Sequence, residues 1–174
     1  ATAPAGDGPR ELAYVRRDTI FDQQQRPAGY IFHLRHLDAS HPNLPASRQR
    51  PLDDALLKSL CLGARDESWG RSLSFVPLSS VSLDNPGLDR LPVKNTVILL
   101  TLGDETNDPQ AAAQRLAGLR QRGLRFCIFR QPVHPVYLAA LPYADFAAID
   151  VAANGGENIR NFSVAVRSEE IGHP

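Results

Sequence analysis

Methionine is absent from the 174 residues, tryptophan occurs once, cysteine twice, and acidic and basic residues balance at 19 each. The missing methionine predicts a fragment or a processed piece of a longer chain. Zero net charge removes the field that draws a protein to nucleic acid or to an anionic membrane surface, so neither is expected as a partner. Cys61 and Cys127 stand far apart in apolar surroundings, with no CxxC or Cys/His ligand spacing. They read as buried free thiols of a reducing cytoplasm. No apolar run approaches the ~20 residues that span a bilayer, and the opening ATAPAGDGPR is no signal peptide. The expected location is the cytoplasm.

What is present is ordinary for one folded domain: 43% hydrophobic and 22% charged residues. Residues 1–11 are small and Pro/Gly-rich and read as a flexible tail, with the folded domain over 12–174. YVRRDTIF and GYIFHLR, separated by DQQQRPA, read as a β-hairpin. DASHPNLPASRQRP reads as loop. LDDALLKSLCLGA places Leu52, Ala55, Leu56, Leu60 and Leu62 at helical spacing.

SLSFVPL reads as a strand, and TVILLTL is the continuous apolar run of a strand covered on both faces. DPQAAAQRLAGLRQRG predicts a helix capped by Asp108, opened by Pro109, facing inward with Leu116 and Leu119 and stopped at Gly123. The arginines from Arg115 to Arg130 read as a solvated face. RFCIF is a strand, PVYLAALPYAD a short helix or turn, FAAIDV a strand, NGGEN a turn and FSVAV a last strand. The alternation argues for an α/β fold with a parallel sheet, open sheet and barrel being equally allowed.

Such folds work at the carboxyl ends of their strands. Here those ends carry Leu99 to Leu102, Phe129 with Arg130, Ile149 with Asp150, and Val166 with Arg167. A single acid is too few for a two-carboxylate mechanism or an oxygen cage around a divalent metal. There is no GxxxxGK[ST] or GxGxxG phosphate loop and no GxSxG elbow; Gly155-Gly156 reads as a plain turn. His33, sharing a strand face with Ile31 and Arg35, reads as a satisfied interior histidine. Asp150 can be a functional remnant or can equally cap the next turn.

The order of short motifs resembles the EAL domain family, bacterial cyclic-di-GMP phosphodiesterases on a modified TIM barrel with an antiparallel second strand. The look is nearest to the branch in which an EAL-like domain is joined to an HDOD domain. VRRDTIFDQQQRPAGYIFHLR, Val15 to Arg35, is similar to that branch's opening. LPYADFAAID, Leu141 to Asp150, is similar to its LP-x-AD-x-x-K-I-D run, and FSVAVRSEE, Phe162 to Glu170, lies like its A-E-x-V-E strand. The resemblance covers about residues 13 to 170.

What the resemblance implies is mainly loss. The metal-binding glutamate that names the family falls on Ile31, the asparagine of the next strand on Pro77, the next glutamate on Leu99, and the paired aspartates on Phe129 and Arg130. The catalytic lysine falls on Ala148, a further glutamate on Val166, and a nucleotide-holding glutamine on Asp18. Arg35, Asp145, Asp150 and Glu169 keep the family's residue type.

The expectation is therefore a degenerate EAL-like domain, shortened or incompletely closed, with no catalytic residues, no metal and no cofactor. Arg35, Asp150 and Glu169 remain as vestigial ligand-binding residues, Arg35 as a phosphate contact. The function implied is a protein-interaction or regulatory module in bacterial signal transduction, its partner another protein, an adjacent domain or a second copy. The alternatives are a receptor that binds cyclic-di-GMP without hydrolysing it and, far behind, an active metal-dependent phosphodiesterase.

Overall fold

The computed structural model of the chain describes residues 14–35, 44–63, 71–103, 108–129, 134–151 and 161–166. β1 (Tyr14–Phe21) and β2 (Pro27–Arg35) form the expected hairpin, followed by α1 (Ala46–Gly63) and β3 (Leu73–Ser79). Two 3-10 turns, Ser80–Ser82 and Pro86–Arg90, lead into β4 (Thr96–Thr101). Then come α2 (Pro109–Gln121), β5 (Arg125–Phe129), α3 (Pro135–Ala140), a 3-10 turn Leu141–Tyr143, β6 (Phe146–Val151) and β7 (Asn161–Val166).

The seven strands lie in one sheet in sequence order. β2 to β6 run parallel, and β1 pairs antiparallel with β2. The expected antiparallel step thus falls between the first two strands, with β1 running against β2 to β6. β7 pairs antiparallel with β6, Val166 opposite Phe146 and Asp150 opposite Phe162. A parallel return needs a crossover of a dozen or more residues, and the connection 152–160 is shorter, so the strand comes back as a hairpin partner.

β1 and β7 stay at the two edges, and the sheet does not close. It does curl. Strands about 4.8 Å apart would hold β3 and β6, three steps away, about 14 Å apart in a flat sheet. Phe75 of β3 and Phe146 of β6 instead bring their ring centroids to 6.3 Å at 60°. The structure is a wall section of a barrel, its inner face drawn together.

The two faces separate cleanly. Val76, Leu78, Ile98, Leu100, Phe126 and Ile128 pack outward onto Leu56, Leu57 and Leu60 of α1, Ala112, Leu116 and Leu119 of α2, and Val136 and Ala140 of α3. Ile31, Phe75, Val97, Leu99 and Cys127 pack on the inner face with Ile20, Leu73, Phe129 and Phe146. Gly29 permits the approach of β2 to β3, because a Cβ there would stand 2.6 Å from the Leu73 carbonyl oxygen.

α2 follows its sequence signals. The Asp108 carboxylate accepts from the Gln110 and Ala111 N–H groups, and Gly123 takes φ 108° at the exit. α1 departs from them. It starts at Ala46, inside the stretch read as loop, because the Pro45 carbonyl accepts from Arg48 and Gln49 N–H and Pro51 falls in the second turn, forfeiting one bond. Its inward stripe is Asp53, Leu56, Leu57 and Leu60, while Leu62, expected on that stripe, is 75% exposed.

The α2 arginines are stitches as well as a solvated face. Arg115 donates to the Leu83 and Asn85 carbonyls and pairs with Asp89 at 3.0 Å; Arg122 donates to Leu88 and Leu91. Together they tie the 3-10 turns down on the helix. No helix among the described residues is long and apolar enough to cross a membrane.

Candidate functional site

In a parallel sheet the ligand side is the carboxyl end of the strands. Residues paired across strands trace rows over the inner face. One row runs Pro77, Leu99, Cys127, Phe146; the row nearer the carboxyl ends joins Phe129 to Ala148; below them Ile31 pairs with Phe75 and Phe75 with Val97. Four strand positions singled out by the resemblance, Ile31, Pro77, Leu99 and Phe129, therefore share one face.

That face is hydrocarbon. Ile31 is 5% exposed and Leu99 3%. Burial pushes the Cys127 thiol up to about 12, which leaves it a neutral, inert filler. The antiparallel register of β7 sets Val166 opposite Phe146, at the end of the row that runs through Leu99 and Cys127, and its side chain lies outside the described residues.

Arg35 closes β2 opposite Tyr14, and Asp150 stands on β6 opposite Phe162; their side chains, and Glu169 and Arg130 entirely, lie outside the described residues. So does the NGGEN turn. Asp145, by contrast, is structural: it pairs with Arg120 at 2.9 Å and accepts from the Phe126 N–H at 3.0 Å.

His33 is not an interior filler. Its side chain is 39% exposed, and Nε2 lies 3.7 Å from Asp18, which also accepts from Arg16 Nε at 2.7 Å. Register explains the grouping, since Arg16 lies opposite His33 and Asp18 opposite Ile31. On this face of the hairpin Ile31 thus has polar neighbours, Asp18 opposite it and His33 two residues on.

A second polar cluster, not foreseen from the sequence, joins the carboxyl ends of β3 and β4 to the helices. The buried Asp53 carboxylate accepts from Ser82 Oγ at 2.6 Å, Gln49 Nε2 at 2.8 Å and the Ser79 N–H at 3.4 Å. Burial raises its pKa, and the three donors work against that rise. Ser80 Oγ accepts from the Gly103 N–H. His134 Nδ1 accepts from the Val136 N–H, so Nε2 carries the proton and donates to the Gly103 carbonyl at 3.0 Å. The available signal was one acid on the apolar stripe of α1, three and four residues before Leu56 and Leu57.

Chemically the site offers little. Ser82 bonds a carboxylate and no imidazole, and the His134 ring is engaged at both nitrogens, so no serine relay forms here. The divalent metal implied by the fold does not fit either. Among the described residues no three His, Cys, Asp or Glu side chains converge, and the strand positions that would supply oxygen ligands carry Ile31, Pro77, Leu99 and Phe129.

The fold and its open, curled sheet define an EAL-like, TIM-barrel-related architecture. Among the solved structures that share it are two EAL proteins. The Bacillus subtilis YkuI protein, with an EAL domain, in complex with substrate c-di-GMP and calcium, matches at TM-score 0.51 and 13% identity over 78% of this chain. A standalone versatile EAL protein from Vibrio cholerae O395, in its c-di-GMP-bound form, matches at TM-score 0.50 and 12% identity over 73% of this chain. The matched region spans 40% and 61% of those two chains. No protein-family model and no curated protein matches the sequence.

Proposed function

We propose that the chain is a catalytically inactive EAL-like domain that acts as a protein-interaction or regulatory module in bacterial signalling linked to c-di-GMP. The signalling assignment is supported by the fold it shares with two EAL proteins described with c-di-GMP bound. The inactive reading rests on one observation: the inner face holds a packed apolar cluster of Ile31, Phe75, Val97, Leu99 and Cys127, with Phe129 and Phe146 against it. Metal-assisted phosphodiester hydrolysis needs oxygen ligands around a cation that lowers the pKa of water. A dry apolar floor supplies neither ligands nor water. The module then works by binding another protein, an adjacent domain or a second copy of itself.

The bound nucleotide in both structural neighbours favours one second reading, a receptor that holds c-di-GMP without hydrolysing it. That reading rests on Arg35, since a guanidinium grips phosphate through paired hydrogen bonds. Titration calorimetry with c-di-GMP, with and without Mg²⁺, separates the two. An interaction module gives no heat of binding. Micromolar or tighter binding that disappears in Arg35→Ala establishes the receptor and overturns the first reading.

A further inference from the structure

Among the described residues β1 has a ladder partner, β2, on one side only. An edge strand presents a row of backbone N–H and C=O groups, and folded proteins ordinarily blunt it with proline, lysine, a bulge or a cover. Tyr14–Phe21 contains neither proline nor lysine. Its one irregularity falls between Ile20 and Phe21, so Tyr14 to Ile20 form a regular stretch with Arg17 at its centre. Among the described residues, the side-chain bonds of this stretch run to β2 or within β1, and Arg16, Arg17 and Thr19 are exposed.

The charges on this edge are self-complementary. Register with β2 puts Arg16, Asp18 and Ile20 on the inner face, opposite His33, Ile31 and Gly29, and Val15, Arg17 and Thr19 on the outer face. A second β1 laid antiparallel about a two-fold axis normal to the sheet keeps each face on its own side, which admits only registers that pair like faces. Centred on Arg17, the pairing covers the whole regular stretch and sets Arg16 of each copy opposite Asp18 of the other. Centred one residue on, it sets Asp18 against Asp18; centred one residue back, Arg16 against Arg16. Like charges directly opposite destabilise a strand pair. Arg17 itself is drawn off the axis, its guanidinium stacked over the Tyr30 ring of β2 at 4.4 Å.

We propose that β1 pairs antiparallel with β1 of a second copy, centred on Arg17, joining two open sheets into one. The proposal rests on the interaction-module reading and names the partner as a second copy of this chain. Any extended strand can meet a backbone edge, but the reciprocal Arg16–Asp18 contacts are what a second copy supplies. A single strand pair is a small interface, so the dimer is reversible and depends on concentration.

The test is sedimentation velocity of the intact chain over a wide concentration range. The expected result is a mean mass that rises from one chain towards two. Arg16→Asp and Asp18→Arg each set like charges opposite one another and weaken dimerisation about tenfold or more, and R16D/D18R restores it. The deciding arm is an equimolar mixture of the R16D and D18R single variants. Across the axis every acid again meets an arginine, so the mixed dimer forms, although within each chain the two residues still repel. A role confined to the Arg16–Asp18 pair inside one chain gives no recovery in the mixture. Should a charge variant not fold, diamide oxidation decides: Arg17→Cys cross-links two copies at the axis, while Thr19→Cys, opposite Val15 of the other copy, does not. A chain that stays monomeric, a dimer indifferent to the charge variants, a mixture without recovery, or equal cross-linking of the two cysteine variants overturns the proposal. Failure of the inactive-module reading would show separately, as turnover of c-di-GMP whatever the state of association.

Discussion

Leu99→Glu places a carboxyl in the middle of the inner-face row, at the position where the resemblance implies a metal-binding glutamate. Leu99 is 3% exposed and paired with Pro77 on one side and Cys127 on the other. Neither offers a real donor, since proline has no N–H and a thiol donates weakly. Losing the leucine alone, as in Leu99→Ala, costs about 2–5 kcal/mol. A buried polar group without a partner costs about 1–3 kcal/mol, so Leu99→Glu should cost about as much as the alanine variant even when its carboxyl is neutral. For a chain of this size each kcal/mol lowers Tm by about 2–4 °C.

The signature is pH dependence. Burial raises the folded-state pKa of the new carboxyl above its unfolded value of about 4.3. The penalty is therefore smallest below that value and grows as pH rises through the folded-state pKa. Urea unfolding across this range should show Leu99→Glu losing ground to Leu99→Gln, whose amide does not titrate. A Leu99→Glu protein that melts with the parent and whose stability relative to Leu99→Gln is flat with pH would mean that the mouth is wet, and the reasoning from packing would fail.

Asp53 gives a milder version of the same test. Its folded-state pKa is raised by burial, so its contribution to stability is full below its unfolded pKa and is lost as pH rises through the folded value. Urea melts of the parent should fall relative to Asp53→Asn over that window, and parallel pH curves would refute the assignment. Gly29→Ala should destabilise by about 1–3 kcal/mol in thermal melts, since its Cβ would meet the Leu73 carbonyl oxygen at 2.6 Å. Asp145→Ala removes the acceptor of the Phe126 N–H and the partner of Arg120, and unfolding should show a loss of about 1–3 kcal/mol, smaller in Asp145→Asn.

TVILLTL announced a strand covered on both faces, and it places Val97 and Leu99 inward and Ile98 and Leu100 against the helices. The cap, first proline and glycine stop of α2 were equally readable, because each acts through its own local backbone. The direction of β7 was not, since FSVAV has the same alternation whichever way it runs, and direction depends on a connection too short to cross over. Asp53 was hidden because a single acid in an apolar stripe becomes a buried carboxylate only when another element brings donors, here Ser79 and Ser82. The α2 arginines likewise meet carbonyls more than twenty-five residues away in sequence. For the site, the residue types at Ile31 and Leu99 already spoke against a metal cage. Their sharing of one packed face required the sheet register.

The central claim is that this inner face cannot support hydrolysis. Its most direct test is chromatography of c-di-GMP incubated with the intact chain in excess Mg²⁺ or Mn²⁺, against a buffer control. The prediction is that the nucleotide is recovered unchanged at the rate of the control. Metal-dependent appearance of linear pGpG, abolished by chelation, would contradict it.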